Sequence, residues 1–476
     1  MKMWINGKFE DSCSSEFFEV LNPATGEIVD TVPRGGREDV EAAVDAAAGA
    51  AGAWAATSPR NRAEVLHRAG GLVREWLDEL AVLLTSEQGK PLAEAKNELL
   101  GFSGILEYYC GLASTLKGDF IQVPGNGYSF TLKNPLGVCA AIIPWNMPAL
   151  IMGWKVGPAL ISGNTLVLKP ASSTPLINLS LAALFGDAGL PPGVLNVVPG
   201  PGPVVGEAIA KHPGIKRLSF TGDTGTGKRV ASLSASSLKR LTLELGGSDP
   251  MIVCEDADLE AAVDGALRGR FYNCGQTCTA VKRLYLQEKI ADEFTAKLQK
   301  RVEGLRIGNG LSEGVDLGPL NSGKQRACVL NLLEEVRAKE EGTVLTGGRV
   351  PEGVEYAAGN FFEPTLITDV VPDSRLLREE VFGPLLPILR VRDLEEAIGE
   401  ANRTKYGLGA SVWTKDIDRI RAACEGLEAG TVWVNQHLKV APELPFGGMK
   451  ESGFGRENGG DALSEYLESK TVMVKT

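Results

Sequence analysis

The chain has 476 residues, 43% hydrophobic and 23% charged, a composition that fits a soluble globular protein of two or three domains and not a disordered one. Its 57 glycines follow no repeat, which excludes collagen-like and low-complexity architectures. A net charge of −11 argues against non-specific binding to nucleic acid or a membrane surface, while leaving room for a local basic pocket that holds one small anion.

The opening residues, MKMWINGKFEDS, hold a short strand signal (MWING) but no apolar run of signal-peptide length. No later run approaches the ~18 uncharged apolar residues of a membrane span, so a cytoplasmic protein is expected. After a turn-rich LNPATGEI come two helical stretches, REDVEAAVDAAAGAAGAWA and RNRAEVLHRAGGLVREWLDELAVLLTSEQG, with apolar residues at three- and four-residue spacing. From about residue 137 the pattern changes. Short apolar runs bounded by Gly and Pro (GVCAAIIP, NTLVLKP, VLNVVPG, RLSFTG, LTLELGG, PMIVCE) alternate with helical segments, as in a parallel sheet with crossover helices. A second strand-and-helix region, with RLYLQ, GTVLTGG, LPILRV, GASVWT and GTVWVN, runs from about 247 to 458. GNGYSFTLKNP (125–135) and the tail SKTVMVKT alternate apolar and polar residues, as a subunit-pairing edge or a simple edge strand would.

Three places carry candidate chemistry. SFTGDTGTGKRV (219–230) follows an apolar strand, and Gly222, Gly225 and Gly227 would let its backbone approach a phosphate at the next helix's N-terminus. It is no P-loop, because Arg229 stands where Ser or Thr should hold magnesium, and G-x-G-x-x-G is absent. Lys169 ends the buried-strand pattern NTLVLKP, beyond which an open α/β sheet binds ligands. RFYNCGQTCTAVKR sets Cys274 and Cys278 four residues apart. A structural zinc site needs four ligands, and the chain has three histidines (67, 212, 437) and only Cys254 near this pair, so no metal site is expected. The eight cysteines lie mostly isolated in apolar surroundings and read as reduced thiols.

In order along the chain, PWNMP (144–148), LKPAS (168–172), FTG (220–222), ELGG (244–247), GQTC (275–278), EEVFGP (379–384) and PFGG…ESGFGRE (445–457) resemble the aldehyde dehydrogenase superfamily over nearly the whole length. The resemblance implies an α/β fold with a Rossmann-like cofactor domain (1–118 and 137–246) and an α/β catalytic domain (247–458). A small β oligomerisation element (119–136 and 459–476) would complete it, giving a homodimer or homotetramer. It also implies NAD(P)-dependent oxidation of a small-molecule aldehyde to the acid. Cys278 matches the nucleophile that forms a thiohemiacetal and then a thioester. Asn146, with the Cys278 N–H, looks like the oxyanion donor. Glu244 resembles the general base that activates water, and its presence separates this chain from the CoA-acylating branch. Lys169 and Glu380 resemble the residues that hold the two riboses. Phe382 should pack near the nicotinamide, with Trp145, Gly222, Thr224 and Gly227 also at the cofactor. Cys274 reads as a packing residue. Met147, Ile151, Trp154, Tyr272 and Phe446 are expected to line a substrate tunnel, and His437 and Lys439 to be either contacts for a polar substrate tail or solvated loop residues.

Three departures matter. Ser172 stands where many NAD-preferring members have glutamate; losing that carboxylate removes repulsion of a 2′-phosphate, so NADP is expected, preferred or alongside NAD. Asp223 stands where a serine is usual beside the pyrophosphate, a position where its carboxylate would cap the following helix. Trp154 and Tyr272 occupy positions that look like the carboxylate-binding arginines of the succinate-semialdehyde branch. A small apolar or hydroxylated aldehyde is therefore favoured, with succinate semialdehyde, or cofactor-free hydrolysis at Cys278, as the alternatives.

Overall fold

The computed structural model describes residues 1–124 and 127–475; Gly125, Asn126 and Thr476, inside the expected oligomerisation element, lie outside it. Two sheets dominate. The first runs in the order Lys8–Glu10, Met3–Ile5, Leu195–Val197, Thr165–Lys169, Val138–Ile142, Arg217–Thr221, Arg240–Glu244, Gly453–Phe454. Its five central strands are parallel, and the pairings at both edges are antiparallel. Numbered along the chain, these five stand 3-2-1-4-5, the doubly wound order. VCAAI and RLSFT are buried at every residue, which explains why they read as short apolar runs and not as alternating ones.

The second sheet repeats the arrangement. Leu385–Val391, Val281–Gln287, Asp249–Val253, Gly409–Trp413 and Thr431–Val434 are parallel and again stand 3-2-1-4-5, with Thr365–Thr368 and Thr343–Thr346 added at one edge. Only Leu245–Ser248 separate the last parallel strand of the first sheet from the first strand of the second. The carboxyl ends of one sheet therefore face the amino ends of the other.

The helices follow their local signals. Pro59 and Pro148 start helices at the position where a missing N–H costs nothing. The long stretch 60–89 is not one helix. It breaks at Trp76 (φ −97°, ψ 25°), where Leu77–Gln88 starts afresh with Asp78 and Glu79 in its first turn. A further helix, Leu92–Gly111, lies outside the expected stretches and carries Glu94 and Glu98. No helix among the described residues is long and apolar enough to cross a membrane.

The two alternating segments pair with each other. Tyr128–Pro135 runs antiparallel to Leu467–Val474 in unbroken register, and Phe120–Gln122 adds a third strand. Phe120, Ile121, Leu132 and Met473 stay exposed there. The tail is tied to the first sheet through Arg217, whose fully buried guanidinium donates to Thr242 Oγ1 (2.6 Å) and Glu465 (3.1 Å) and lies 4.2 Å from the Tyr466 ring centroid. Arg217→Met should cost about 3 kcal/mol, measured by urea unfolding; the loss stays moderate because the Glu465 left behind is partly exposed.

Candidate active site

A doubly wound sheet opens a crevice where its strand order reverses, beyond the carboxyl ends. In the first sheet that point lies between Val138–Ile142 and Arg217–Thr221. A cleft of about 730 Å³ lies there, lined by Trp145 and Asn146 after the one strand, Gly222 and Asp223 after the other, and Cys278, Glu380 and Phe382 from the second half of the chain.

Cys278 sits on a loop held in an uncommon conformation. After the helix Leu259–Phe271, Asn273, Cys274 and Gly275 are all left-handed (φ 51°, 56° and 71°). Two consecutive non-glycine residues there cost free energy that surrounding contacts must offset. The Asn273 side chain donates to the Asn146 carbonyl (2.9 Å) and the Gln276 carbonyl (3.2 Å) and accepts from Gln88 (3.0 Å), while its N–H meets Glu94 (2.9 Å). Gly275 is required: a Cβ there would lie 2.6 Å from the Gly383 carbonyl oxygen. Cys274 is buried in the core of the second sheet, where burial pushes its thiol well above the ordinary range. Half-buried Cys278 packs against the apolar cluster of the first sheet and opens on the cleft. Desolvation first, then Glu244, pushes its thiol up to about 12; Lys282 opposes.

Asn146 donates through Nδ2 to the Gln276 carbonyl (3.0 Å), and its second amide hydrogen has no partner among the described residues. Its own carbonyl is held from below by Lys90 Nζ at 2.8 Å. Lys90 and Glu98 form an ion pair with no side-chain exposure, and Glu98 also accepts from the N–H groups of Ala149 (2.8 Å) and Leu150 (3.1 Å), capping the helix Pro148–Ile161 from a distance. Glu244, the last residue of its strand, is almost wholly buried, and its Oε1 has no hydrogen-bond partner among the described residues. Burial pushes its carboxyl up to about 8, with Lys155 opposing and Glu457 adding. Those two form a second buried ion pair at 2.7 Å, on which the Ser219 hydroxyl donates to Glu457 at 2.6 Å.

Of the residues expected at the cofactor, Trp145, Gly222, Glu380 and Phe382 line the cleft, and Trp145 meets Phe382 edge-on at 5.4 Å. The other four do not. Thr224 faces the ELGG loop, accepting the Gly246 N–H at 3.3 Å. Gly227 serves packing, since a Cβ there would lie 2.3 Å from Leu245. Lys169 is buried at the end of its strand with one side-chain partner among the described residues, the Pro170 carbonyl at 2.8 Å, and burial lowers its pKa to about 8. Ser172 donates its hydroxyl to the Gly200 carbonyl (3.1 Å), so it offers a phosphate no negative charge but no spare donor either. Asp223 caps its helix, accepting the Thr226 N–H at 2.8 Å.

Met147, Ile151, Trp154, Tyr272 and Phe446 share one apolar cluster with Cys278. Only Ile151 reaches the cleft. The Met147 sulfur turns to Lys90 (3.2 Å), and Trp154 packs on Phe446 at 5.0 Å with both almost fully buried. His437 is neither a solvated loop residue nor free for a substrate. Its Nε2 lies 2.8 Å from the Thr279 carbonyl and so must donate; Nδ1 then accepts from the Ser411 hydroxyl at 2.8 Å. Burial lowers its pKa to about 4 and keeps it neutral. Lys439 is exposed. Lys90, Lys155 and Lys282, which touch or face the three candidate groups, went unread in the sequence; a lysine inside an apolar helix such as ALIMGWKVGPALI is the signal that was available.

A model of the aldehyde dehydrogenase family matches residues 9–472. Among solved structures, an NADP-dependent enzyme from E. coli is 41% identical with a TM-score of 0.97, over 100% of this chain and 98% of that one. An aldehyde dehydrogenase from Bacillus cereus in complex with NAD+ is 40% identical (TM-score 0.97; 100% and 96% covered). A 3,6-anhydro-L-galactose dehydrogenase in complex with NADP is 37% identical (TM-score 0.97; 100% and 99% covered).

Glu244 makes stability depend on pH. An unfolded glutamate ionises near its ordinary 4.5, whereas the folded one keeps its proton to about 8. Across that window the native state holds a proton that the unfolded state has lost, so stability falls as pH rises, in total by on the order of 5 kcal/mol. Glu244→Gln should remove this loss. Urea unfolding from about pH 5 to pH 9 is expected to show the variant increasingly more stable than wild type; parallel curves would mean that Glu244 is solvated.

Proposed function

The chain belongs to the aldehyde dehydrogenase family, and from that premise we propose that it oxidises an aldehyde to the free carboxylic acid at Cys278, Asn146 and Glu244, with NADP preferred or used alongside NAD. The observation that carries this reading is convergence. Cys278 and Asn146 open on one cleft at the switch point of the first sheet, and Glu244, whose Oε1 has no hydrogen-bond partner among the described residues, ends the strand next to Arg217–Thr221.

The residues present fit a dinucleotide. The cleft meets the N-terminal end of the helix Thr224–Ser234, Trp145 and Phe382 form an apolar corner, and Glu380 Oε2 is close enough to Gly246 that a Cβ there would lie 2.4 Å from it. Buried Lys169 has donors to spare for a ribose or phosphate. Bound nicotinamide supplies the hydride acceptor. The protein's own part begins with the Cys278 thiolate attacking the aldehyde carbon, giving a thiohemiacetal whose oxyanion meets the Asn146 amide and the Cys278 N–H. Such a preorganised donor contributes about 3 kcal/mol in the transition state. The oxidised acyl group is held on Cys278 as a thioester. Glu244 takes a proton from the attacking water, the C–S bond breaks, and the acid leaves with the thiol restored.

The apolar cluster of Ile151, Trp154, Tyr272 and Phe446, which also takes in Cys278, supports a small apolar or hydroxylated aldehyde over a dicarboxylic-type one, which would find aromatic rings where a guanidinium clamp is needed. The exposed residues Phe120, Ile121, Leu132 and Met473 support assembly into a homodimer or homotetramer through the three-stranded sheet.

Formation of reduced nicotinamide, with NADP and NAD against aliphatic, aromatic, hydroxylated and succinate-type aldehydes, tests the reading. Free acid as product supports it; hydrolysis of activated esters with no cofactor reduction by any aldehyde would point to the hydrolase. Asn146→Ala should lower kcat by about 100-fold with a small change in KM. For the cofactor, Ser172→Glu is expected to lower kcat/KM for NADP by about tenfold or more while sparing NAD, since it restores a carboxylate beside the 2′-phosphate.

A further inference from the structure

Cys278 faces charged groups from four elements: Glu244 at the end of one strand, Asp249 at the start of the next, Glu380 in the loop before Leu385–Val391, and Lys282. Three are carboxyl groups, and Lys282 is the one cation among them. Both Asp249 oxygens lack a hydrogen-bond partner among the described residues. His437 also faces Lys282 but is held neutral, and Arg270, from the helix Leu259–Phe271, acts on Glu380.

Lys282 is the second residue of the strand Val281–Gln287 and has no side-chain exposure. Its ammonium turns back along the chain, donating to the carbonyl of Thr277 at 3.1 Å and to that of Cys278. It also stands 3.3 Å from Glu380 Oε1, an oxygen that accepts the Gly247 N–H at 3.1 Å. The Phe382 ring centroid is 5.9 Å away. One buried cation thus joins the backbone of the nucleophile to the carboxylate and ring that line the cofactor side of the cleft.

The contact with Thr277 has a specific consequence. The Thr277 carbonyl and the Cys278 N–H belong to one peptide plane, and in a trans peptide they point in opposite directions. Holding that oxygen toward Lys282 fixes the N–H away from it. An ammonium on the carbonyl also polarises the peptide and makes its N–H a stronger donor.

We propose that Lys282 is a positioning residue for the reaction: it aims and polarises the Cys278 N–H as an oxyanion donor, and it supplies the positive charge beside which the Cys278 thiolate forms, a charge that Glu380 partly neutralises. This rests on Cys278 being the nucleophile. Lysine serves both ends because its one compact charge reaches two carbonyls and a carboxylate together.

The test follows Cys278 alkylation by iodoacetamide against pH in the full-length protein, read by mass spectrometry of the Cys278 peptide and needing no aldehyde. Lys282→Met should raise the apparent pKa of the thiol and slow alkylation at neutral pH by about tenfold. Lys282→Arg should recover part of the loss. Glu380→Gln, which removes the competing carboxylate, should shift the profile the opposite way and speed alkylation. In turnover, Lys282→Met should lower kcat by about 100-fold with little change in aldehyde KM, as loss of a contact made in the transition state does. A Lys282→Met protein with wild-type unfolding and a wild-type alkylation profile would overturn the proposal, as would slower or unchanged alkylation in Glu380→Gln, which decides the matter if Lys282→Met fails to fold. Wild-type protein that reduces no cofactor with any aldehyde would remove the functional reading, while the alkylation profiles still judge Lys282.

Discussion

Leu245–Ser248 carry the chain straight from the end of one doubly wound sheet to the start of another, and this short crossing governs what lies around it. It forces the carboxyl ends of the first sheet against the amino ends of the second. The switch-point crevice of the first sheet is therefore roofed by loops that precede strands of the second: Gln276–Ala280 before Val281, Glu379–Pro384 before Leu385. Glu244 and Cys278, from different halves of the molecule, come into electrostatic reach of each other because of that geometry. Gly246 and Gly247 belong to the crossing itself; a Cβ at either would collide with the carboxylate of Glu380 or Asp249.

A second regularity is electrostatic. Lys90, Lys155 and Lys282 all have fully buried side chains, and each is paired with a glutamate: Glu98, Glu457 and Glu380. Buried ion pairs are poor stabilisers, because desolvation of both charges offsets their attraction. Their placement is more telling than their energy. Lys90 holds the carbonyl of Asn146, Lys155 faces Glu244, and Lys282 holds the carbonyl of Cys278. Each candidate catalytic group has a fixed cation behind it, in an interior where a charge acts far more strongly than in water.

Much of this was legible in the sequence. Parallel strands buried on both faces appear as compact apolar runs, so GVCAAIIP, NTLVLKP and RLSFTG announce themselves, and the cap at Asp223 follows from its residue type. The cleft residues Asn146 and Cys278 could be named because each sits in a short motif. What stayed hidden depends on partners remote in the chain. Nothing near His437 in the sequence shows that Ser411 and Thr279 clamp it, so the sequence leaves open a substrate contact and a solvated loop position alike. A list of positions expected to line a substrate tunnel carries no packing, and the contact of Trp154 with Phe446 exists only in three dimensions. The break at Trp76 interrupts an apolar period that continues in phase, leaving the acidic turn after it as the only trace.

Residues 453–474 complete structures begun much earlier in the chain. Gly453–Phe454 supplies the edge strand beside Arg240–Glu244, Glu457 is the partner of Lys155, and Leu467–Val474 pairs with Tyr128–Pro135. Glu457 reaches Lys155 across 302 residues of sequence, and Phe454 pairs with Leu243 at the open edge of the first sheet. A change confined to residues 453–457 would therefore leave a buried lysine without its counter-charge and a parallel strand without its edge, so the interior of the first sheet is under the control of a segment that contributes almost none of its strands.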